Sequence, residues 1–258
     1  MVRYMINYFL SLTPITQSLC AGIFTFLITT FGAALVLFFK KINKTFLDGM
    51  LAISAGIMLA SSFLSLLNPA IELSNSWLSI SLSFITGGIV ILICDYLLNL
   101  LCHKKSSVSK LKTSLMLFIS ITLHNIPEGL VIGVAFASLA NTNLIGAISL
   151  TLGIAIQNFP EGSAISFPLR RDGISRFKAF IFGSLSAIVE PIFACLGAVL
   201  VLRIQSILPI IMSLTAGAMI FVTVMELIPE SQTNKRKGLM TLFLLLGFTI
   251  MMILEIAL

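Results

Sequence analysis

The chain has 258 residues, of which 58% are hydrophobic and only 10% are charged, and its mean hydropathy is +1.09. Soluble domains carry about 25% charged residues, so this composition excludes a water-soluble globular protein. It predicts instead an all-α polytopic membrane protein. The net charge of +6 does not indicate nucleic-acid binding, because the basic residues lie in short segments between apolar runs.

Eight apolar runs are long enough for a membrane-spanning helix, which needs about 20 residues. They cover residues 14–39, 46–70, 77–101, 113–139, 143–169, 175–202, 206–228 and 238–257. Together they predict a single transmembrane domain over residues 1–258. All of the 16 Lys and Arg residues except Arg3 and Arg203 lie in the loops that follow odd-numbered spans. Because basic loops face the cytoplasm, both termini are predicted to lie outside.

Two of these runs contain a polar motif that a lipid-facing helix does not need. The fourth run carries HNIPEG at residues 124–129, and the fifth carries QNFPEG at residues 157–162. Residues i and i+4 share one face of a helix, so the first and fifth residues of each motif point the same way. Each proline also removes one backbone hydrogen bond. Ionisable groups at the middle of a span are costly, and they indicate a functional site.

The predicted spans contain five carboxylates without a basic residue near the middle of any span. Either protons or a divalent cation must therefore neutralise them. A mixture of imidazole, carboxylate and amide groups suits first-row divalent metals such as Zn²⁺, Fe²⁺ or Mn²⁺. The candidate metal ligands are His124, Asn125, Glu128, Gln157, Asn158, Glu161 and Glu190. The other two carboxylates, Asp95 and Glu226, lie near span ends and are predicted to be accessory or simply protonated.

At these motifs the chain resembles the ZIP family of divalent metal transporters, and in particular its GufA-like bacterial branch. Glu190-Pro191 in the sixth span and the sequence ELIPE at 226–230 strengthen the resemblance. It implies eight helices in a 3+2+3 arrangement, a binuclear site, an elevator-like movement of the metal-bearing helices, and a homodimer. It also implies one metal on His124, Glu128, Gln157 and Glu161, and a second on Asn125, Glu128, Asn158, Glu161 and Glu190.

The chain also departs from the pattern of the family. Many members carry His where this chain has Gln157, and some carry His where it has Met225. The loop before the fourth span has only His103 in place of a His-rich run, which argues against a cytosolic metal sensor there. The four cysteines, Cys20, Cys94, Cys102 and Cys195, form no C-x-x-C pair and are predicted to be small packed residues. The alternative for Cys102 is a metal contact beside His103.

The sequence predicts a secondary transporter that moves divalent metal, zinc first and also iron, manganese or cadmium, into the cytoplasm. It lacks a P-loop for ATP, and alternating access around a midplane site suits interrupted helices. The metal is expected as substrate, without a catalytic cofactor. The expected partners are the lipid bilayer, metal ions and a second copy of the chain, and the short loops favour a bacterial cytoplasmic membrane. Two alternatives remain: a membrane-embedded metal-dependent hydrolase, and an efflux or sensing protein with the same site.

Overall fold

The computed structural model describes residues 9, 11–39, 43–103, 109–139, 144–203 and 205–257, and these residues form helices and no strands. The long helices begin and end within a few residues of the predicted apolar runs. Polar caps extend the helices beyond the apolar runs: the Asn43 side chain, for example, accepts a hydrogen bond from the backbone of Thr45. The eight long helices are α1 (Pro14–Phe38), α2 (Lys44–Leu73), α3 (Trp77–His103), α4 (Ser109–Leu139), α5 (Leu144–Arg171), α6 (Arg176–Arg203), α7 (Leu208–Ser231) and α8 (Lys237–Ala257).

Seven of these helices are apolar enough to cross a membrane over most of their length, and α5 is not among them. The second half of α5 carries several polar side chains that are buried inside the protein. They are Gln157, Asn158, Glu161, Ser163 and Ser166. Helix α5 packs against α1, α2, α4, α6 and α8, so its polar residues face protein rather than lipid. The structure therefore confirms an all-α polytopic membrane protein, whereas the eighth predicted span depends on how α5 is interpreted.

The contacts divide the eight helices into two groups of four. Helices α1, α4, α5 and α6 pack against one another and carry both polar motifs; we call them the motif bundle. Helices α2, α3, α7 and α8 form the companion bundle. The two bundles meet mainly where α2 packs on α5 and where α7 packs on α4.

Each bundle is built from two helix pairs that approach closely at glycine. In the α1–α5 pair, a Cβ on Gly32 would overlap the carbonyl oxygen of Phe159, and a Cβ on Gly162 would overlap that of Thr29. Small residues allow such approach between helices in lipid, where packing rather than the hydrophobic effect drives association. The same reciprocal arrangement joins α4 to α6, α2 to α8 and α3 to α7 through Gly133 with Gly197, Gly56 with Gly247, and Gly87 with Gly217.

Three helices are interrupted in ways that the apolar pattern does not predict. Helix α6 is broken at residues 186–188, between Arg176–Leu185 and Val189–Arg203. Helices α2 and α7 each contain a π-helical turn, at Ser62–Leu67 and Thr223–Leu227. π turns inside α-helices occur often at functional sites.

The two π turns follow similar local sequences, SAGIM at 54–58 and TAGAM at 215–219. In each, the hydroxyl that begins the turn donates to the methionine carbonyl four residues earlier: Ser62 to Met58 at 2.6 Å, and Thr223 to Met219 at 2.7 Å. The Thr223 hydroxyl also lies 3.8 Å from the Met58 sulfur. Helices α2 and α7 are thus repeats of one local design, and they touch each other at the π turns.

The predicted set of five carboxylates in spans was incomplete, because two more, Asp48 and Glu255, lie within the predicted spans. Asp48 near the start of α2 is 2% exposed and accepts a hydrogen bond from Asn234 Nδ2 at 2.9 Å. Glu255 near the end of α8 accepts one from Ser65 at 2.8 Å. Both carboxylates belong to the companion bundle, and both have a polar side chain from a neighbouring segment as partner.

Candidate metal site

Three helices of the motif bundle bring three carboxyl groups together. Glu128 on α4, Glu161 on α5 and Glu190 on α6 are each at most 2% exposed. Glu128 lies close enough to the other two for their charges to interact, and Glu190 is similarly close to Glu161. Uncompensated negative charge in such a buried place is strongly unfavourable. The cluster therefore requires either protons or a cation.

The motif sequences make this convergence possible. Helices α4 and α5 continue through Pro127 and Pro160 without a break, so each glutamate keeps its place on a regular helix face. The glycine after Glu128 removes the side chain that would keep α6 away: a Cβ on Gly129 would lie 2.6 Å from the Glu190 carbonyl oxygen. The P-E-G sequence thus allows α4 to pack closely against the backbone of α6 at Glu190.

The break in α6 positions Glu190 and creates a further link to α4. Pro191 has no backbone N–H, and the Glu190 N–H donates to the Ala187 carbonyl, three residues earlier, at 3.0 Å. In a regular α-helix that N–H would have bonded to the Ser186 carbonyl. Released from this role, the Ser186 carbonyl accepts from Asn125 Nδ2 at 2.9 Å.

The amide groups of α5 bind two of the three glutamates. Gln157 Nε2 donates to Glu128 Oε1. Asn158 Nδ2 donates to both carboxyl oxygens of Glu190, each at 2.9 Å. All of these groups are buried. The amide nitrogens therefore donate hydrogen bonds across the helix interfaces, whereas the amide oxygens are left to accept from, or bind, another partner.

Six buried oxygen atoms in this cluster have no hydrogen-bond partner among the described residues. Native proteins leave very few buried polar atoms unpaired, so this concentration indicates a cation-binding site, since all six are acceptors and none is a donor. Within the described part of the chain, no group of three His, Cys, Asp or Glu side chains has the geometry to hold a metal ion, which makes the amide oxygens candidate additional ligands. The six are Asn125 Oδ1, Glu128 Oε2, Gln157 Oε1, Asn158 Oδ1, and Glu161 Oε1 and Oε2.

The remaining predicted residues lie elsewhere or outside what the structure describes. His124 lies on α4 one turn before Glu128, but its side chain is outside the described part of the chain, as is that of His103 at the end of α3. Asp95 on α3 and Glu226 in the π turn of α7 are half-buried and belong to the companion bundle. The structure therefore does not place these two carboxylates in the three-glutamate cluster.

Two threonines of α1 complete the surroundings of Glu190, and the sequence interpretation missed them. Thr25 and Thr29 are fully buried near the Glu190 carboxyl, and their hydroxyls donate to the backbone carbonyls of Gly22 at 3.0 Å and Thr25 at 3.2 Å. Gly22 on the same helix packs against Pro191. The i and i+4 spacing of the threonines on an otherwise apolar span was the available signal.

The comparison with known proteins identifies the family of this chain. Residues 104–255, which include both motifs and Glu190, match the family model described as ZIP Zinc transporter. The chain belongs to the ZIP family. The family resemblance read from the motifs is thus confirmed.

Similarity to individual ZIP proteins extends over almost the whole chain. Zinc transporter ZIP11 of Bos taurus is 32% identical, over 95% of this chain and 98% of its own length. Zinc transporter ZIPB of Bordetella bronchiseptica is 32% identical, over 90% of this chain and 78% of its own. Zinc transporter GufA of Myxococcus xanthus is 29% identical, over 95% and 98% respectively. The similarity therefore includes the companion bundle as well as the motif bundle.

Proposed function

We propose that this ZIP-family chain is a secondary transporter that moves divalent transition metal, with zinc as the first substrate, across a membrane and into the cytoplasm. Its relatives ZIP11, ZIPB and GufA are named as zinc transporters rather than enzymes. The seven apolar helices make it a multi-pass membrane protein. The observation that carries the proposal is the cluster of six unpartnered oxygens between α4, α5 and α6.

The proposed ligands divide into two metal positions that share Glu128 and Glu161. Glu128 has one unpartnered oxygen and Glu161 has two, which supports a bridging role for both. In the first position, Gln157 presents an amide oxygen where many relatives have imidazole. A harder oxygen ligand widens the range of acceptable metals towards Fe²⁺ and Mn²⁺. The first position uses His124, Glu128, Gln157 and Glu161, and the second uses Asn125, Glu128, Asn158, Glu161 and Glu190.

The division into two bundles supports an elevator-like movement. All seven proposed ligands lie on α4, α5 and α6, so the motif bundle can carry the metal as a unit while the companion bundle stays in place. In this proposal α5 is the eighth span of the 3+2+3 arrangement, and the surrounding helices shield its polar residues from lipid. Asp95 and Glu226 of the companion bundle, with His103 at the end of α3, are proposed as accessory residues of the metal path.

The family resemblance also supports a homodimer with both termini outside. The bacterial relatives and the short loops support the cytoplasmic membrane of a bacterium as the location. Protease accessibility of tags at the two termini in intact cells tests the orientation. Tags that are cut only after the cells are opened would contradict it.

Reconstituted uptake tests the proposed function directly. Liposomes that contain the purified protein are given radioactive zinc, iron, manganese or cadmium, with wild type compared with Glu128→Ala. Metal-dependent influx that Glu128→Ala abolishes is the expected result. Glu72→Ala, at an exposed position near the end of α2, serves as the control and should transport normally. Tight metal binding without flux in sealed vesicles would contradict transport and favour the sensing or hydrolase alternative.

A further inference from the structure

One hydroxyl of the companion bundle holds the backbone of a motif helix. Ser54 on α2 is fully buried, and its Oγ donates to the backbone carbonyl of Gln157 on α5 at 2.9 Å. Many helical hydroxyls in this protein instead bond within their own helix, as Thr151 does to Ala147. The Ser54 bond crosses the boundary between the bundles at the first residue of the α5 motif. Any sliding of α5 along α2 must break it.

The repeated sequences give Ser54 a counterpart, Thr215 on α7. Ser54 begins the sequence SAGIM and Thr215 begins TAGAM, and a π turn starts at the same distance after each. The motifs repeat in the same way, so that Gln157 of α5 corresponds to His124 of α4. Because α2 packs on α5 and α7 packs on α4, the repeat makes the His124 carbonyl the counterpart of the Gln157 carbonyl that Ser54 binds.

The two hydroxyls are nevertheless in different states. Thr215 is 1% exposed, and its Oγ1 has no hydrogen-bond partner within the described residues, either across the bundle boundary or in its own helix. Leaving a buried donor unpaired is unfavourable. Ser54 is therefore hydrogen-bonded to a motif helix, whereas Thr215 has no partner among the described residues.

We propose that Ser54 and Thr215 form a two-position hydroxyl switch between the bundles. In the arrangement seen here, Ser54 holds the Gln157 carbonyl. In the arrangement that opens to the other side of the membrane, Ser54 releases it and Thr215 donates to the His124 carbonyl. The switch rests on the proposed alternating-access function.

The switch explains how the two arrangements stay close in free energy. One interbundle hydrogen bond is lost when the other forms, so their number is the same on both sides of the cycle. A transporter must populate both states, and a difference of only a few kcal/mol leaves the minor one rare. Neither hydroxyl contacts the metal in this scheme. Both are positioning residues, and each stabilises one state.

Two variants and a matched control separate this role from ordinary packing. Ser54→Ala and Thr215→Val remove the hydroxyls with little change of shape. Ser213→Ala on α7 removes a hydroxyl that donates to the Ile80 carbonyl at 2.8 Å, entirely within the companion bundle. Ser213→Ala should leave the balance between the two arrangements unchanged.

Distances between two spin labels report that balance. The labels replace Lys178 on the motif bundle and Lys235 on the companion bundle, which are both exposed, in a variant without the four native cysteines. Double electron–electron resonance in lipid nanodiscs then gives the populations of the two arrangements. Zinc uptake into liposomes is measured in parallel. The conservative exchanges Ser54→Thr and Thr215→Ser keep a hydroxyl at each position and should behave as wild type.

Loss of one buried hydrogen bond should shift the ratio of the two populations about five-fold. Ser54→Ala should deplete the population that Thr215→Val enriches, and both should slow uptake. Shifts in the same direction, no shift, or a single population in every variant would overturn the switch while leaving metal transport intact. If the wild-type protein fails to take up zinc, the proposed function itself is overturned.

Discussion

The two bundles have the same arrangement of helix pairs, and they differ in how their buried polar groups are hydrogen-bonded. Each consists of two helix pairs that meet through reciprocal glycines. In the companion bundle, buried polar groups such as Asp48, Ser213 and Thr223 have hydrogen-bond partners. In the motif bundle, the six acceptor oxygens of the three-glutamate cluster have none among the described residues. A satisfied polar network rigidifies a core, whereas an unsatisfied one is costly until a partner arrives. The difference supports the proposal that the metal binds in the motif bundle.

The strongest test of this comparison is the exchange of an unpartnered carboxylate for an amide. Glu161→Gln keeps the shape of the side chain but removes the charge and one acceptor oxygen. We expect zinc uptake into liposomes to fall at least about 100-fold, or about 2.7 kcal/mol. Both Glu161 oxygens lack a hydrogen-bond partner and are proposed as metal ligands. The metal-free variant should unfold at the same temperature as wild type or higher, since an uncompensated buried acid has been removed.

A carboxylate outside the cluster supplies the control for this exchange. Glu72 near the end of α2 is exposed and accepts a hydrogen bond from Asn68 at 3.2 Å. Glu72→Gln should change neither uptake nor thermal stability. If Glu161→Gln transports zinc like wild type, the unpartnered oxygens of the motif bundle are not the cargo site.

The glycine pairs allow the two frameworks to be perturbed in the same way. Gly162→Ala and Gly247→Ala each place a Cβ against a partner-helix carbonyl, that of Thr29 in the motif bundle and that of Ile53 in the companion bundle. Both should lower thermal stability by about 1–3 kcal/mol through overpacking. Only Gly162→Ala should raise the KM for zinc, because Glu161 adjoins the strained contact.

Thermal unfolding and zinc uptake of purified variants check this pair of expectations. Gly238→Ala is the control, since nothing lies within 4 Å of the added Cβ, and it should match wild type in both assays. An equal effect of Gly162→Ala and Gly247→Ala on KM would mean that the bundles are not functionally distinct.

The sequence predicted the membrane class and the motif residues because both follow from local patterns. Long apolar runs give the helices, and the repetition of N-x-P-E-G on two of them marks the polar cluster before any contact is known. Helix α5 shows the limit of that approach. Its apolar content is lowered by the residues that make it functional, so composition alone does not assign it to the membrane.

The features that were missed depend on contacts between distant segments. The break in α6 is accommodated because the freed Ser186 carbonyl finds Asn125 on another helix. Thr25 and Thr29 look like tolerated small residues until α1 is packed beside Glu190. Asp48 near the start of its span gave no sign that Asn234, far along the chain, would bond to it. Each contact joins segments that are distant in the chain, and residue spacing within one helix does not identify the partner.

Gln157 offers a smaller, more selective perturbation of the motif bundle. Its Oε1 is one of the unpartnered oxygens, and Gln157→His replaces this hard donor with an imidazole nitrogen. Since nitrogen ligands favour Zn²⁺ over Mn²⁺, the ratio of zinc to manganese uptake should rise about ten-fold, or about 1.4 kcal/mol. Competition between the two metals in one liposome preparation measures this ratio.

Met225 of the companion bundle provides the control position for the exchange to His. It is 57% exposed on α7, and some family members also carry His there. Met225→His should leave the metal ratio unchanged. A similar change in both variants would show that metal preference is not set in the motif bundle.

The smallest expected effect concerns Asp48, the buried carboxylate of the companion bundle that has a hydrogen-bond partner. Asn234 donates to Asp48 at 2.9 Å, and its Oδ1 accepts from the backbone of Arg236 at 2.9 Å, so it ties the α7–α8 turn to α2. Asn234→Ala should lower thermal stability by about 1 kcal/mol and leave the KM for zinc unchanged, whereas Lys235→Ala at the exposed neighbouring position should change neither. If Asn234→Ala impaired uptake without loss of stability, Asp48 would belong to the metal path. The functional division between the bundles would then be wrong at Asp48, a carboxylate that already has a hydrogen-bond partner.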